Sequence, residues 1–197
     1  MKDTLRKIYT KGGDKGQTRL LSGETVEKDD CRVSAYGALD ELQSHLGVAR
    51  ALTRQELVRS ILCTVQNNIF VASSELASTH ESLARLKRRI NQEDVRRLED
   101  WIDDLTKAYG LPGRFVMPGR SLDSAAMHVA RAVCRRCERS IVLLNREAGG
   151  EYSECIIYFN RLSDLLFVLA WSLEFRAVVE EVVRGLIMET FKEGRGL

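Results

Sequence analysis

Apolar residues recur at steps of three and four through most of this chain, and they mark five helical segments. From Val33 to Leu52, the residues Tyr36, Leu39, Leu42, Leu46 and Ala49 share one face. TRQE (53–56) predicts the start of a second helix, with Thr53 as its cap and Glu56 reaching back. Val58, Leu62, Val65, Ile69, Ala72 and Leu76 form its inner face. A basic connector, ESLARLKRRI (81–90), leads to NQED, where Asn91 caps a third helix carrying Val95, Leu98, Ile102 and Leu105. Ser121 opens a fourth that runs to about Arg146 and is stopped by Gly149 and Gly150. The fifth extends from about Ser153 to Phe191. Between Leu162 and Leu173 it is apolar nearly all round, the mark of a central, buried helix.

Two stretches lack this period. Residues 9–30, YTKGGDKGQTRLLSGETVEKDD, are rich in Gly, Thr, Asp and Lys, and residues 110–120, GLPGRFVMPGR, hold both prolines of the chain and three glycines. No repeat or linker divides the sequence. It reads as one all-α domain over residues 1–197, a structured N-terminal glycine-rich loop (1–30) followed by an antiparallel five-helix bundle (31–191). An apolar fraction of 44% and a charged fraction of 29% fit a folded chain with a substantial core. The longest apolar run, Leu165–Leu173, is about half of what a bilayer needs, and Arg161, Asp164, Glu174 and Arg176 bracket it. The N-terminus, MKDTLRKIYT, has no apolar signal segment. A cytoplasmic protein with no membrane partner is expected. Five cysteines suggest no disulfide framework, and the Cys134–Cys137 pair has no second pair or histidines to complete a zinc site.

Net charge is only +2, so any anion site must be local. ARAVCRRCER (130–139) concentrates Arg131, Arg135, Arg136 and Arg139 around a single acid, Glu138. The apolar stripe of this fourth helix is drawn through Leu122, Ala126, Val129, Val133, Cys137 and Leu144, with Arg131, Arg135 and Glu138 almost opposite it. Arg136 and Arg139 fall on the flank, so the positive charge wraps around the helix. Like charges at i,i+4, here Arg131 and Arg135, cost stability, and arginine makes forked contacts with carboxylate or phosphate. A bound anion, a partner subunit's carboxylate, or both would relieve the repulsion. In DELQSH (40–45) of the first helix, Asp40 or Glu41 could supply that carboxylate to Arg131 or Arg135 from a neighbouring helix or subunit, and the spacing from Glu41 to His45 is not that of a di-iron bundle.

TKGGDKGQT (10–18) is a second candidate anion element. Its glycines let backbone N–H groups turn inward as a nest, while lysines and hydroxyls add contacts. It is not a P-loop, because Gln17 follows Gly16 where that motif needs Lys; plain turns are the alternative. In YFNRLSD (158–164), Asn160 either joins a buried network or points at a ligand.

In order and spacing, YTKGGDKGQT, KDD, YGALDELQSHLG, FVMPG, ARAVCRRCER and YFNRLSDLLF resemble the PduO-type ATP:cob(I)alamin adenosyltransferases, over about Ile8 to Trp171. The resemblance implies a homotrimer of five-helix bundles with active sites where subunits meet. Such enzymes transfer the 5′-deoxyadenosyl group of ATP to the cobalt of a reduced corrinoid and release triphosphate. Carried over by motif, Thr10, Lys11, Gly12, Gly13, Thr18 and Lys28 would hold ATP, with Arg135, Arg136, Glu138, Arg139 and Asn160 from the adjacent chain. Asp40 would pair with Arg131 across the boundary, so that Arg135, Glu138, Arg131 and Asp40 form the catalytic set. Phe115 resembles the aromatic that displaces the lower axial ligand of cobalt. Glu138 would orient the ribose or help to hold Mg2+. The implied partners are a flavin-dependent corrinoid reductase and an adenosylcobalamin-dependent acceptor enzyme. Gly12, Gln43, Arg120 and Phe159 stand where the family more often has Thr, Asn, Gly and Leu. The alternatives are a non-enzymatic adenosylcobalamin or ATP carrier on the same scaffold, and an RNA-binding module. The lack of aromatics among the basic residues speaks against nucleic acid.

Overall fold

A computed structural model describes residues 8, 9 and 11–193, with side chains through residue 190. Among the described residues there are six helices and one two-stranded sheet, in the order β1 (Gln17–Arg19), β2 (Thr25–Glu27), α1 (Cys31–Leu52), α2 (Glu56–Leu76), α3 (His80–Leu83), α4 (Gln92–Tyr109), α5 (Leu122–Glu147) and α6 (Ser153–Glu193). Thr10 and the first seven residues of the predicted 1–30 loop lie outside the described residues.

The helices pack as a relay: α2 lies on α1, α1 on α5, α5 on α6 and α6 on α4. Asn68 of α2 donates from Nδ2 to Asp94 Oδ1 of α4 at 3.2 Å, which links the two ends of the relay. The expected inner faces are the core. Leu39, Leu42, Leu46, Leu62, Val65, Ala72 and Leu76 have no exposed surface, nor do Leu162, Leu165, Leu166 and Leu169 of α6. Each such leucine contributes about 1.5–3 kcal/mol of burial free energy.

Caps set the helix ends more sharply than periodicity. Asn91 closes a reciprocal capping box with Asp94, and Ser121 closes one with Ser124. α1 begins two residues before Val33, because the Asp30 side chain accepts from Arg32 N–H at 2.7 Å. Thr53 does not cap α2, which starts behind Gln55 without a side-chain cap. Thr53 is buried and ends α1 instead, its N–H donating to Ala49 O and its Oγ1 accepting from Gln55 N–H.

Three other expectations change. Residues 9–30 are not all loop, since Thr18 faces Val26 in an antiparallel hairpin turned at Gly23, whose φ is +95°. The hairpin is fastened to the bundle by buried Leu20 and by Leu21 N–H donating to Ala77 O at 3.2 Å. The stripe drawn on α5 was misplaced at one end: Leu122 is 78% and Val129 46% exposed, whereas Met127, Ala130, Cys134 and Ile141 are buried. α5 serves two neighbours, α1 and α6, so its buried arc is rotated and wider than a single stripe. Finally, α6 is central only as far as Glu174; from Val178 to Thr190 it is exposed.

Candidate functional site

The glycine loop and hairpin form a recess of about 530 Å3 lined by Gly12, Gly13, Gln17, Thr18, Arg19 and Thr25. Lys28 enters from the far end of the hairpin, anchored by its own N–H donating to Gly16 O at 2.8 Å. A methyl group placed on Gly13 would stand 3.1 Å from Lys28 Nζ and 3.3 Å from Gln17 O, so a side chain there would press on that ammonium and on the backbone oxygen behind it. Lys11 is the one described non-glycine residue with positive φ, at +59°. Such strain persists where the surrounding structure enforces it, often at ligand-binding loops. The structure thus brings Gly12, Gly13, Thr18 and Lys28 together, with Lys11 beside them, and adds Arg19 and Thr25.

A second recess, of about 350 Å3, lies on α5 and is lined by Arg135, Glu138, Arg139, Val142, Leu143 and Arg146. Asn160 Nδ2 donates to Glu138 Oε1 at 3.1 Å, and Arg161 Nη1 donates to Asn160 Oδ1 at 2.8 Å. Arg161 Nε in turn donates to Glu99 Oε1 at 2.8 Å. Glu138 is therefore fixed by a chain of contacts running back to α4, and Asn160 serves that network, reaching the recess only through Glu138. Arg139 Nη1 donates to the backbone oxygen of Arg135 at 3.0 Å, and Arg135 itself is exposed.

The remaining arginines of the cluster point elsewhere. Arg136 pairs with Glu41 of α1, and that hydrogen bond pushes the Glu41 carboxyl below its ordinary range. Asp40, one residue away, is exposed and makes no ion pair within the described chain. Arg131 is not on a solvated face. It is half-buried beneath the 111–118 segment with Phe115, His128 and Phe167, and its Nε has no hydrogen-bond partner. The Cys134 and Cys137 thiols donate to the backbone oxygens of Phe159 and Ala38, and burial pushes Cys137 up to about 12.

Phe115 is fully exposed and lines a cavity of about 800 Å3. Its walls come from the 111–117 segment and from Trp171, Phe175 and Val178 of α6. Sequence reasoning missed this α6 wall, although valines and a phenylalanine continuing past Leu173 were the available signal. Beneath the same segment, His128 Nε2 and Glu174 Oε1 approach to 3.5 Å, and both residues are buried. Neither ring nitrogen of His128 nor Glu174 Oε1 has a hydrogen-bond partner. Burial pushes His128 down, with Arg131 adding to the effect. Burial pushes Glu174 up, against Ser124 and Arg120, which favour its carboxylate.

The raised Glu174 carboxyl binds its proton more tightly when folded. Its contribution to stability is therefore present at low pH and is lost as pH rises from 4.5 through the raised value. His128 acts oppositely, its penalty fading as pH rises to 6.5. Replacing Glu174 isolates the first effect. Glu174→Gln should raise the thermal midpoint at about pH 8 by about 2–4 °C more than at about pH 5. Equal shifts at the two pH values would show that Glu174 titrates as an ordinary carboxylate.

A family profile described as cobalamin adenosyltransferase matches residues 8–173. The chain is 46% identical over 166 residues to a corrinoid adenosyltransferase of Citrobacter freundii, covering 84% of this chain and 94% of that one. It is 39% identical over 163 residues to the corrinoid adenosyltransferase PduO of the same organism, covering 83% of this chain but 48% of that longer relative. Among solved structures, a variant PduO-type ATP:corrinoid adenosyltransferase from Lactobacillus reuteri, complexed with cobalamin and ATP, superposes with a TM-score of 0.78. That pair is 36% identical, and the match covers 86% of this chain and 94% of the other.

Proposed function

The chain belongs to the cobalamin adenosyltransferase family, and from that premise we propose how its own residues divide the work of the reaction. It is an ATP:corrinoid adenosyltransferase: it moves the 5′-deoxyadenosyl group of ATP to the cobalt of a reduced corrinoid. The electron pair of Co(I) forms the Co–C bond, the C5′–O bond breaks, and its pair leaves with triphosphate. Co(I) is itself a strong nucleophile, so the protein needs no activated Ser, Cys or His. It has to align the two substrates and stabilise a polyanionic leaving group.

The observation that carries our reading is that the glycine recess and the α5 recess share no lining residue within one chain. Each suits an anion, and neither alone encloses a nucleotide. We assign the chain to a homotrimer of five-helix bundles, with ATP closed between two subunits. Thr10, Lys11, Gly12, Gly13, Thr18 and Lys28 of one subunit face Arg135, Arg136, Glu138, Arg139 and Asn160 of the next. Asp40 crosses the boundary to Arg131, an assignment supported by Asp40 being exposed and making no ion pair among the described residues. Phe115 meets the lower face of the corrinoid.

Mg2+ fits the α5 recess through Glu138. Among the described residues no cluster of three or more His, Cys, Asp or Glu side chains could hold a metal alone, and Mg2+ is commonly held by one carboxylate plus substrate phosphates. When bound, it would neutralise charge on the triphosphate. No described helix is long and apolar enough to cross a membrane. We place the enzyme in the cytoplasm, between a flavin-dependent corrinoid reductase and an adenosylcobalamin-dependent acceptor enzyme, without nucleic acid or a membrane as partner.

Anaerobic mixing of the protein, MgATP and chemically reduced cobalamin should convert the Co(I) spectrum to that of adenosylcobalamin with one triphosphate released per turnover. Binding without triphosphate release would identify a carrier instead. Sedimentation under the same conditions should find trimers, and an active monomer would rule out the shared site.

A further inference from the structure

The cavity in front of Phe115 is apolar along its walls and cationic at its rim. Arg114 and Arg120 both line it, on the same segment as Phe115 and on either side of it. Its one acidic lining residue, Glu174, is only 4% exposed, and burial pushes its carboxyl toward the neutral form. Arg114 makes no ion pair among the described residues. Arg120 Nη2 reaches Glu181 Oε2 of α6 at 2.9 Å, but both side chains are largely exposed, at 49% and 74%. An exposed pair of this kind holds weakly and is readily exchanged for a better anion.

An apolar wall suits the face of a macrocycle, and guanidiniums at its edge suit a phosphate, which they can grip with forked hydrogen bonds. Both features occur together in one class of molecule. A complete corrinoid such as cobalamin carries a nucleotide tail whose phosphodiester links the lower base to the ring. With that base off cobalt, the tail hangs at the edge of the lower face, where Phe115 stands.

We propose that Arg114 and Arg120 form an anion-binding rim that takes the phosphodiester of a corrinoid's nucleotide tail, making them specificity residues for complete over tail-less corrinoids. This rests on the adenosyltransferase reading and on the corrinoid occupying the Phe115 cavity. Glu181 is then a competitor: it holds Arg120 in the free enzyme and releases it to the tail.

The test compares kcat/KM for cobalamin with that for cobinamide, which has the same ring without the phosphodiester and base, using the full-length protein and chemically reduced substrates. In R114Q/R120Q the ratio of the two should fall about tenfold, the size of a lost charge-assisted contact. In E181Q it should rise by about two- to threefold, as Arg120 is freed. In the wild type it should fall as salt is added, because the rim is exposed to screening. The last measurement needs no variant to fold. A ratio that moves in neither variant overturns the proposal. So does a change confined to the KM for ATP, which would assign the rim to the triphosphate. Turnover of either corrinoid by the wild type secures the adenosyltransferase reading independently of the ratio, and turnover of neither would overturn both.

Discussion

Arg135→Ala is expected to lower kcat by about 10²–10³-fold and to leave the fold intact. The side chain lies exposed on the α5 recess beside Glu138 and Arg139, outside the buried face of the helix. Its removal opens no cavity, and the one hydrogen bond at this residue that involves Arg139 uses the backbone oxygen, which alanine keeps. Surface replacements of this sort change stability by about ±0.5 kcal/mol. The loss should therefore be chemical. As the C5′–O bond breaks, negative charge accumulates on the departing triphosphate, and a cation already aimed at it lowers the barrier without reorganising at that moment. Arg136 does not line this recess and pairs with Glu41 in the free protein, so it stands further from the departing charge. Arg139 lines the same recess and accounts for residual activity. Single-turnover rates with chemically generated Co(I), together with circular dichroism and sedimentation, separate this from misfolding or dissociation. A variant with a near-normal rate would remove Arg135 from the phosphate site.

Where the sequence allowed such residues to be read in advance, it was through repetition. Leu39, Leu42 and Leu46 recur on a helical period and are all fully buried, and the same holds along α2 and the first half of α6. Periodicity fails where an element is short or serves two neighbours. β1 and β2 are three residues each, too brief for an alternation to register. α5 touches both α1 and α6, so a single apolar stripe misassigned Leu122 and Val129. The chemistry of the site was legible as residue type, glycines with lysines and arginines around one acid, but not as pairing. Asp40 and Glu41 differ by about 100° around α1, and only packing shows that it is Glu41 that meets Arg136. Arg131 falls almost opposite the predicted apolar stripe, and nothing in GLPGRFVMPGR reveals that this aperiodic segment folds back over it.

That fold-back also puts Phe115 where its loss should matter most when cobalt starts as Co(II). A fully exposed phenylalanine, two residues from the largely exposed Met117, gains little from its own chain. Standing at an apolar cavity walled by Trp171 and Phe175, it has the surroundings of a side chain that its substrate covers. On our reading it occupies the space below cobalt, excluding both water and the lower ligand. Four-coordinate Co(II) then accepts an electron at a less negative potential than the five-coordinate form, by about 59 mV for each tenfold shift in the one-electron equilibrium. Phe115→Ala readmits a fifth ligand. Adenosylation coupled to in situ reduction should slow by about 10²-fold, equivalent to about 2.7 kcal/mol. With Co(I) supplied chemically, the reduction step is bypassed and the loss should shrink severalfold. Stability should be unaffected, because the side chain touches little that folding buries. Phe115→Leu, which keeps apolar bulk, should recover part of the rate. The decisive comparison is therefore between two electron sources on one variant, and equal losses with both would assign displacement of the lower ligand to a residue other than Phe115.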